Sequence, residues 1–343
     1  MPSFAQRLIA WQRRHGRHDL PWQGTREPYR VWLAEIMLQQ TQVATVLRYY
    51  ERFLERFPTL EALAAAPLEE VMAAWSGLGY YARARHLHQC AQLLISERGG
   101  AFPSEPAAIA RLPGIGRSTA NAIAACCFGR RVPILDGNVK RVLCRHLGIP
   151  GWPGEPAIEA RLWHEAEALL PEQEVPAYLQ AQMDLGALVC TRLKPRCGAC
   201  PVRDDCLARR QGLVTELPTP RPKKPLPERE ATFLVLKHGE RVLFELRPPA
   251  GIWGGLLSLP ELPAGREAVD YAAQRFGLTV KAVFPAPSFT HVFTHFRLRL
   301  APLVCAVGPS ASVAEPALRW LTAEQWAQAA LPAPIRKMLS AIP

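Results

Sequence analysis

Apolar side chains recur at helical spacing through the first two thirds of the chain, for example over 59–75, 82–98 and 117–128. Pro and Gly stops such as Phe57-Pro58 and Gly99-Gly100 separate these runs. No stretch up to residue 211 alternates long enough to predict a strand. The opening residues predict a helix as well, with Phe4, Leu8 and Trp11 on one side. At 212–230, GLVTELPTPRPKKPLPERE, the periodicity stops, and five prolines with several cations predict an extended, solvated linker. Beyond it, ATFLVLKHGERVLFELR reads as two β-rich runs about a His238-Gly239 turn. A helix over 266–276 stopped by Gly277 follows. A strand over 293–307 comes next, in which Phe296, Leu298 and Leu300 alternate with Arg297 and Arg299. The last helix starts at Thr322, with Gln325 placed for a capping box. The pattern therefore divides the chain into an all-helical region (1–211), a Pro-rich basic linker (212–230) and an α+β domain (231–343).

Composition narrows the function classes. Apolar residues make up 49% and charged residues 21% of 343, enough for two real cores. The net charge of +11 suits a polyanionic partner. No apolar run approaches the roughly 20 residues that span a bilayer. The N-terminus, MPSFAQRLIAWQRRHGRHDLPW, lacks the apolar stretch of a signal peptide. A cytoplasmic protein with reduced cysteines is expected, with no membrane association.

Of nine cysteines, four crowd between Cys190 and Cys206. Cys190, Cys197, Cys200 and Cys206 are spaced C-x6-C-x2-C-x5-C, so their thiolates can converge on one centre at small loop-closure cost. A structural zinc site usually has two close C-x2–4-C knuckles, and here there is one. Zinc stays open on the chemistry, and a [4Fe–4S] cluster fits the spacing better. Arg192, Lys194, Arg196 and Arg203 surround the cysteines, so the loop reads as a structural clip presenting cations outward.

Leu112-Pro113-Gly114-Ile115-Gly116 precedes the helical run RSTANAIAACCFG. Two glycines allow a tight turn and close approach, and the free amides of the following helix N-terminus suit a phosphate oxygen. A plain inter-helix turn is the alternative. Asp136, in LDGNVKRV, is placed as a helix N-cap, which leaves one carboxylate oxygen free. Glu35, in VWLAEIMLQQTQV, sits on a helix with little polar surface. It is either a solvated-face residue or a desolvated acid with a raised pKa.

Taken in order, AEIMLQQTQV, GLGYYARAR, LPGIGRSTA, LDGNVKRV, MDLGA and the cysteine cluster resemble the helix-hairpin-helix DNA glycosylase superfamily, specifically its adenine-specific, MutY-type branch. The resemblance implies a mainly α glycosylase carrying an iron–sulfur cluster, followed by a Nudix-like α+β domain. It implies base flipping and hydrolysis of the N-glycosidic bond of adenine mispaired with 8-oxoguanine or guanine in double-stranded DNA. Glu35 matches the family's acid, and Asp136 the carboxylate that stabilises the sugar cation, with Asn138 in support. Ser118 stands where the related glycosylase/lyases carry a Schiff-base lysine, so a monofunctional enzyme is expected, with Lys140 the nearest alternative amine. Gly114, Gly116 and Ser118 match the DNA-contacting hairpin. Gln40 and Tyr80 match wedge residues that fill the gap left by the flipped base, and Trp22 and Gln180 match the adenine pocket. Arg83 and Arg85 are expected at phosphates or at the plain surface.

The C-terminal domain resembles a Nudix module with a broken metal box, since REAVDYAAQRFG offers only Glu267 and Asp270. In this family the module reads the oxidised guanine through a loop that matches Phe293, Thr294 and His295, with Thr294 in place of the usual serine. A monomer is expected, with other repair proteins open as partners.

Overall fold

A computed structural model describes residues 2–222, 225–249, 251–308, 315 and 317–342. Contacts sort the chain into two compact units, Met1–Ala65 with Gln89–Lys223, and Ala66–His88 with Lys224–Pro343.

The first unit is helical. Helix α1 (Phe4–His15) opens on a capping box in which Ser3 and Gln6 satisfy each other's backbone amides. Helix α2 (Pro28–Leu38) has proline in its first turn, and the Glu27 carboxylate caps the amides of Tyr29 and Arg30. Most of α2 is buried, which explains its apolar sequence. Next come α3 (Val43–Arg56) and α4 (Leu60–Ala65), with α5 (Leu68–Ala74) and the start of α6 (Ala82–Arg98) lying in the stretch that groups with the second unit. The hairpin is formed by α7 (Pro106–Ile109) and α8 (Arg117–Phe128), the latter stopped by Gly129 at φ +66°. After α9 (Gly137–His146), α10 (Pro156–Ala168) and α11 (Val175–Asp184), a π-helical turn over Leu185–Val189 leads into the cysteine loop and α12 (Leu207–Arg210). Phe4, Leu8, Val139, Leu143, Leu162, Tyr178 and Leu179 share the core of this unit. Each fully buried leucine there contributes roughly 2 kcal/mol by leaving water.

The second unit is built on a mixed sheet ordered β3-β2-β1-β7-β5. Its strands are β1 (Glu228–His238), β2 (Arg241–Leu246), β3 (Leu257–Ser258), β4 (Glu261–Leu262), β5 (Val280–Pro285), β6 (Phe289–Val292), β7 (Arg297–Val307) and β8 (Leu318–Leu321). Central β1 runs parallel to β7 and antiparallel to β2. Phe233 and Val235 enter one core with Ile335 and Met338 of α15 (Ala333–Ser340), while Leu234 and Leu236 enter another with Ala272 and Phe276 of α13 (Ala268–Phe276). A strand covered on both faces reads as an unbroken apolar run, as FLVL does. The remaining helix, α14 (Ala323–Gln328), begins at a Thr322/Gln325 capping box, where the sequence placed it.

Several expectations need correction. The run 59–75 is two helices, because Pro67 precedes α5 as its N-cap and biases Ala66 away from helix. Residues 66–88, assigned to the helical region, group with the C-terminal domain, where Tyr81 and Arg85 bond to the carbonyls of Leu331 and Gly254. The stretch 212–230 is not a solvated linker throughout. Leu217 is buried with its carbonyl accepting from Arg145 Nε at 2.7 Å, the Thr219 hydroxyl accepts from the Gly151 amide, and Arg221 lies over Trp152. Lys223 and Lys224 lie outside the described residues, and β1 starts at Glu228. The strand expected from 293 begins at Arg297, because 293–296 form a turn closed by the Phe293 amide on the Phe296 carbonyl. Helix α13 starts at Ala268 rather than 266, and α15 had no sequence expectation.

Candidate active site

Helix α2 brings Glu35 to the wall of a cavity of about 560 Å³, within the range of small-molecule sites. Trp22, Gln180, Arg17, Arg26, Cys126 and Met183 are among the other lining residues. No hydrogen bond reaches the Glu35 carboxyl among the described residues, so nothing compensates its desolvation. Burial, with the charge of Asp136 adding, lifts its pKa from 4.5 to about 7.

Asp136 caps α9. One oxygen accepts from the Val139 amide at 2.7 Å and the other from Asn138 Nδ2 at 3.1 Å. Burial raises its pKa too, opposed by those hydrogen bonds and by the Arg141 guanidinium. Of this coupled pair, only Asp136 has donors that favour its ionised form. Asp136 therefore loses its proton first, and its charge holds the proton on Glu35. Two carboxyls with opposed environments can donate a proton and stabilise a developing cation within one reaction.

Two supporting residues escaped the sequence reading. Arg141 donates to Asn138 Oδ1 at 2.9 Å, to the Gly186 carbonyl at 2.6 Å and to the Cys190 carbonyl at 2.7 Å, so it orients Asn138 against Asp136. Asp184, wholly buried, accepts from Gln180 Nε2 at 2.9 Å and from Arg17 Nε at 2.7 Å, which fixes two cavity-lining side chains. Both fall in the quoted motifs LDGNVKRV and MDLGA, the only signal the sequence offered. Gly186 of MDLGA is required by close approach, since a Cβ there would stand 2.6 Å from Asn138 Cβ.

The other candidates separate by role. Trp22 lines the cavity and meets Tyr50 edge-on at 5.3 Å. Ser118 is turned inward, its hydroxyl accepting from the Leu135 amide at 3.0 Å. In the hairpin, Leu112 and Ile115 are buried, Gly114 takes φ +75°, and Gly116 faces open space at the N-terminus of α8, where no side chain caps the first amides. Lys140 is paired with Glu159 at 2.7 Å. Gln40 and Tyr80, in different units, both hold left-handed backbone at φ +56° and +48°, a conformation that non-glycine residues adopt at a cost. Tyr80 is 48% exposed. Arg83 is not at a phosphate-facing surface: buried, it donates to the carbonyls of Leu78 and Gly79 beneath Tyr80. In the second unit, Thr294 and His295 project from the turn between β6 and β7, and Phe293 stacks on Phe296 at 4.5 Å.

Cys190, Cys197, Cys200 and Cys206 line a second cavity, with Arg145 and Val189 in its wall. Among the described residues no three Cys, His, Asp or Glu side chains converge closely enough for one metal ion, whose thiolates would sit about 2.3 Å from it. The four cysteines share the lining of one cavity, a donor set that suits a polynuclear cluster. Arg145, 2% exposed, donates to Cys190 Sγ at 3.4 Å and to the carbonyls of Thr191 and Arg192, so a cation already faces the sulfur-lined cavity. Arg192, Lys194, Arg196 and Arg203 are all exposed around it, with Arg196 and Arg203 also donating to the carbonyls of Leu188 and Gly198.

Known proteins match this organisation. Residues 33–168 match the HhH-GPD superfamily of base excision DNA repair proteins, 190–206 the iron-sulfur binding domain of endonuclease III, and 231–341 the NUDIX domain. An adenine DNA glycosylase of Buchnera aphidicola (subsp. Acyrthosiphon pisum) is 36% identical over 301 residues, covering 88% of this chain and 86% of that protein. The Homo sapiens adenine DNA glycosylase is 32% identical, covering 98% and 73%. A thermostable thymine-DNA glycosylase structure superposes with a TM-score of 0.55 at 28% identity, over 61% of this chain and 95% of the other. An endonuclease III–DNA complex shares the fold of the same region, with a TM-score of 0.51 at 23% identity over 60% and 94%.

Proposed function

Because the chain belongs to the adenine DNA glycosylase family, which excises adenine from DNA in base excision repair, we propose that its substrate is adenine opposite 8-oxoguanine or guanine and that Glu35 and Asp136 cut the glycosidic bond. The observation that carries the mechanism is Glu35, desolvated in the cavity wall with its pKa raised to about 7 in part by the charge of Asp136.

The extruded adenine enters the cavity between Trp22 and Gln180. Gln40 and Tyr80 fill the gap it leaves, sparing part of the few kcal/mol that unstacking costs. Glu35 gives its proton to a ring nitrogen of adenine. The C1′–N9 bond then breaks, its electron pair leaving with the base, and the Asp136 carboxylate stabilises the sugar cation. The Glu35 carboxylate takes a proton from water as that water adds to C1′. Asn138 and Arg141 keep Asp136 aimed throughout. In the C-terminal domain, Phe293, Thr294 and His295 read the oxidised guanine. Ser118, having no amine, leaves an intact abasic site.

The [4Fe–4S] cofactor is held by Cys190, Cys197, Cys200 and Cys206, and when bound it supplies a covalent cross-link that fixes the loop. Arg192 and Lys194 of that loop meet phosphates. Gly114, Gly116 and the open N-terminus of α8 meet another stretch of backbone. The enzyme works as a monomer in the cytoplasm, where DNA and reduced thiols coexist.

Single-turnover excision from duplexes carrying adenine opposite 8-oxoguanine, guanine or thymine tests this reading. Rapid adenine release from the first two and none from the third is expected. Equal release from all three would overturn it.

A further inference from the structure

The turn that carries Tyr80 is held from below by side chains of its own segment. Trp75 Nε1 donates to the Gly79 carbonyl at 3.2 Å, and Arg83 donates to Leu78 and Gly79 while its guanidinium lies 5.6 Å from the Tyr80 ring. Two further side chains reach from this segment to loops of the C-terminal domain. The Tyr81 hydroxyl accepts from the Gly77 amide and donates to the Leu331 carbonyl, both at 3.3 Å. Arg85 donates to the Gly254 carbonyl.

Gly254 is not a casual acceptor. A Cβ there would lie 2.3 Å from the Pro249 carbonyl oxygen, so this loop tolerates only glycine and its carbonyl direction is set. The preceding residue, Trp253, is forced into left-handed backbone at φ +56° and packs 5.9 Å from Phe293. Phe293 begins the turn bearing Thr294 and His295. A path therefore runs from that turn through Trp253 and Gly254 to Arg85, whose amide donates to the carbonyl of Tyr81, the residue after Tyr80.

We infer that Tyr81 and Arg85 are positioning residues that mount the Tyr80 wedge on the lesion-reading domain. Recognition of the oxidised guanine at 293–295 thereby sets the wedge through protein contacts as well as through DNA. The inference rests on the proposed roles of Tyr80 and His295.

The test uses the full-length, cluster-loaded enzyme and the ratio of single-turnover excision rates for adenine opposite 8-oxoguanine and opposite guanine. Tyr81→Phe removes one oxygen, and Arg85→Met removes the donors but keeps the stem. Each should lower the ratio about threefold to tenfold, the range of one net hydrogen bond, with melting temperature and cluster absorbance unchanged. Arg85→Lys, which restores a donor, should recover most of it. In a Tyr80→Ala background neither change should lower the ratio further. If Tyr80→Ala and His295→Ala each lower the ratio while Tyr81→Phe and Arg85→Met do not, the inference fails alone. A tether variant that slows both substrates equally also overturns it. If Tyr80→Ala and His295→Ala leave the ratio intact, the underlying roles fail first. Should Arg85→Met not fold, Tyr81→Phe decides.

Discussion

The Leu135 amide donates to the Ser118 hydroxyl at 3.0 Å, so the residue just before Asp136 hangs from the first turn of the hairpin helix. The proposed catalytic carboxylate and the proposed DNA-facing turn are thereby tied to each other through one bond.

Ser118→Ala should leave that amide unpaired. A loss of about 1–2 kcal/mol in chemical denaturation is expected, with excision slowed by the looser Asp136. Unchanged denaturation would mean the bond carries no weight.

The pH profile should follow Glu35. Excision falls as pH rises through about 7, because the acid form is then lost. Stability moves with the same group: its folded pKa exceeds the unfolded value of 4.5, so the folded state loses stability from about pH 4.5 up to 7. Glu35→Gln, free of that titration, should be inactive yet bind DNA, and should gain up to about 3 kcal/mol over wild type at pH 8 but nothing at pH 4. Denaturation at the two pH values checks this.

Borohydride should trap little covalent complex. Ser118 offers no amine, and the Lys140 ammonium is engaged by Glu159 at 2.7 Å. Trapping should rise in Glu159→Gln, which frees that amine, and should vanish in Lys140→Met. Efficient trapping by wild type would overturn the monofunctional reading.

Gly186→Ala should cost activity more than stability. The added methyl would press on Asn138 at 2.6 Å and displace the Asp136 support. About a hundredfold drop in single-turnover rate is expected from a shift near 1 Å, with substrate affinity retained. A rate within twofold of wild type would show that Asn138 tolerates the push.

Removing a cluster ligand, as in Cys200→Ser, should bleach the visible iron–sulfur absorbance. It should also lower the melting temperature, because Arg145 would then face the cavity with fewer thiolates to balance its charge. Retained colour would exclude Cys200 as a ligand.

Helix periodicity located α6 and α8 to the residue, because their ends are marked by local chemistry such as Gly129. The Thr322 cap was readable for the same reason. What escaped the sequence is non-local. Asp184 and Arg141 act through partners far along the chain, at Arg17 and Cys190, and no spacing rule announces such pairs. The docking of 66–88 escaped for a similar cause, since Tyr81 and Arg85 reach carbonyls about 170 to 250 positions away and a carbonyl has no residue type. From its neighbours alone Glu35 was readable only as an alternative, though the resemblance matched it to the family's acid, and its burial at the cavity wall marks it as a desolvated acid.

Gln40 and Tyr80, the proposed probes, hold their unusual backbone within the folded protein. Folding has thus already met the conformational cost of the probes, and contact with a helix need not supply it. If Gln40 and Tyr80 are the wedges, none of the energy of binding DNA need be spent on reshaping them.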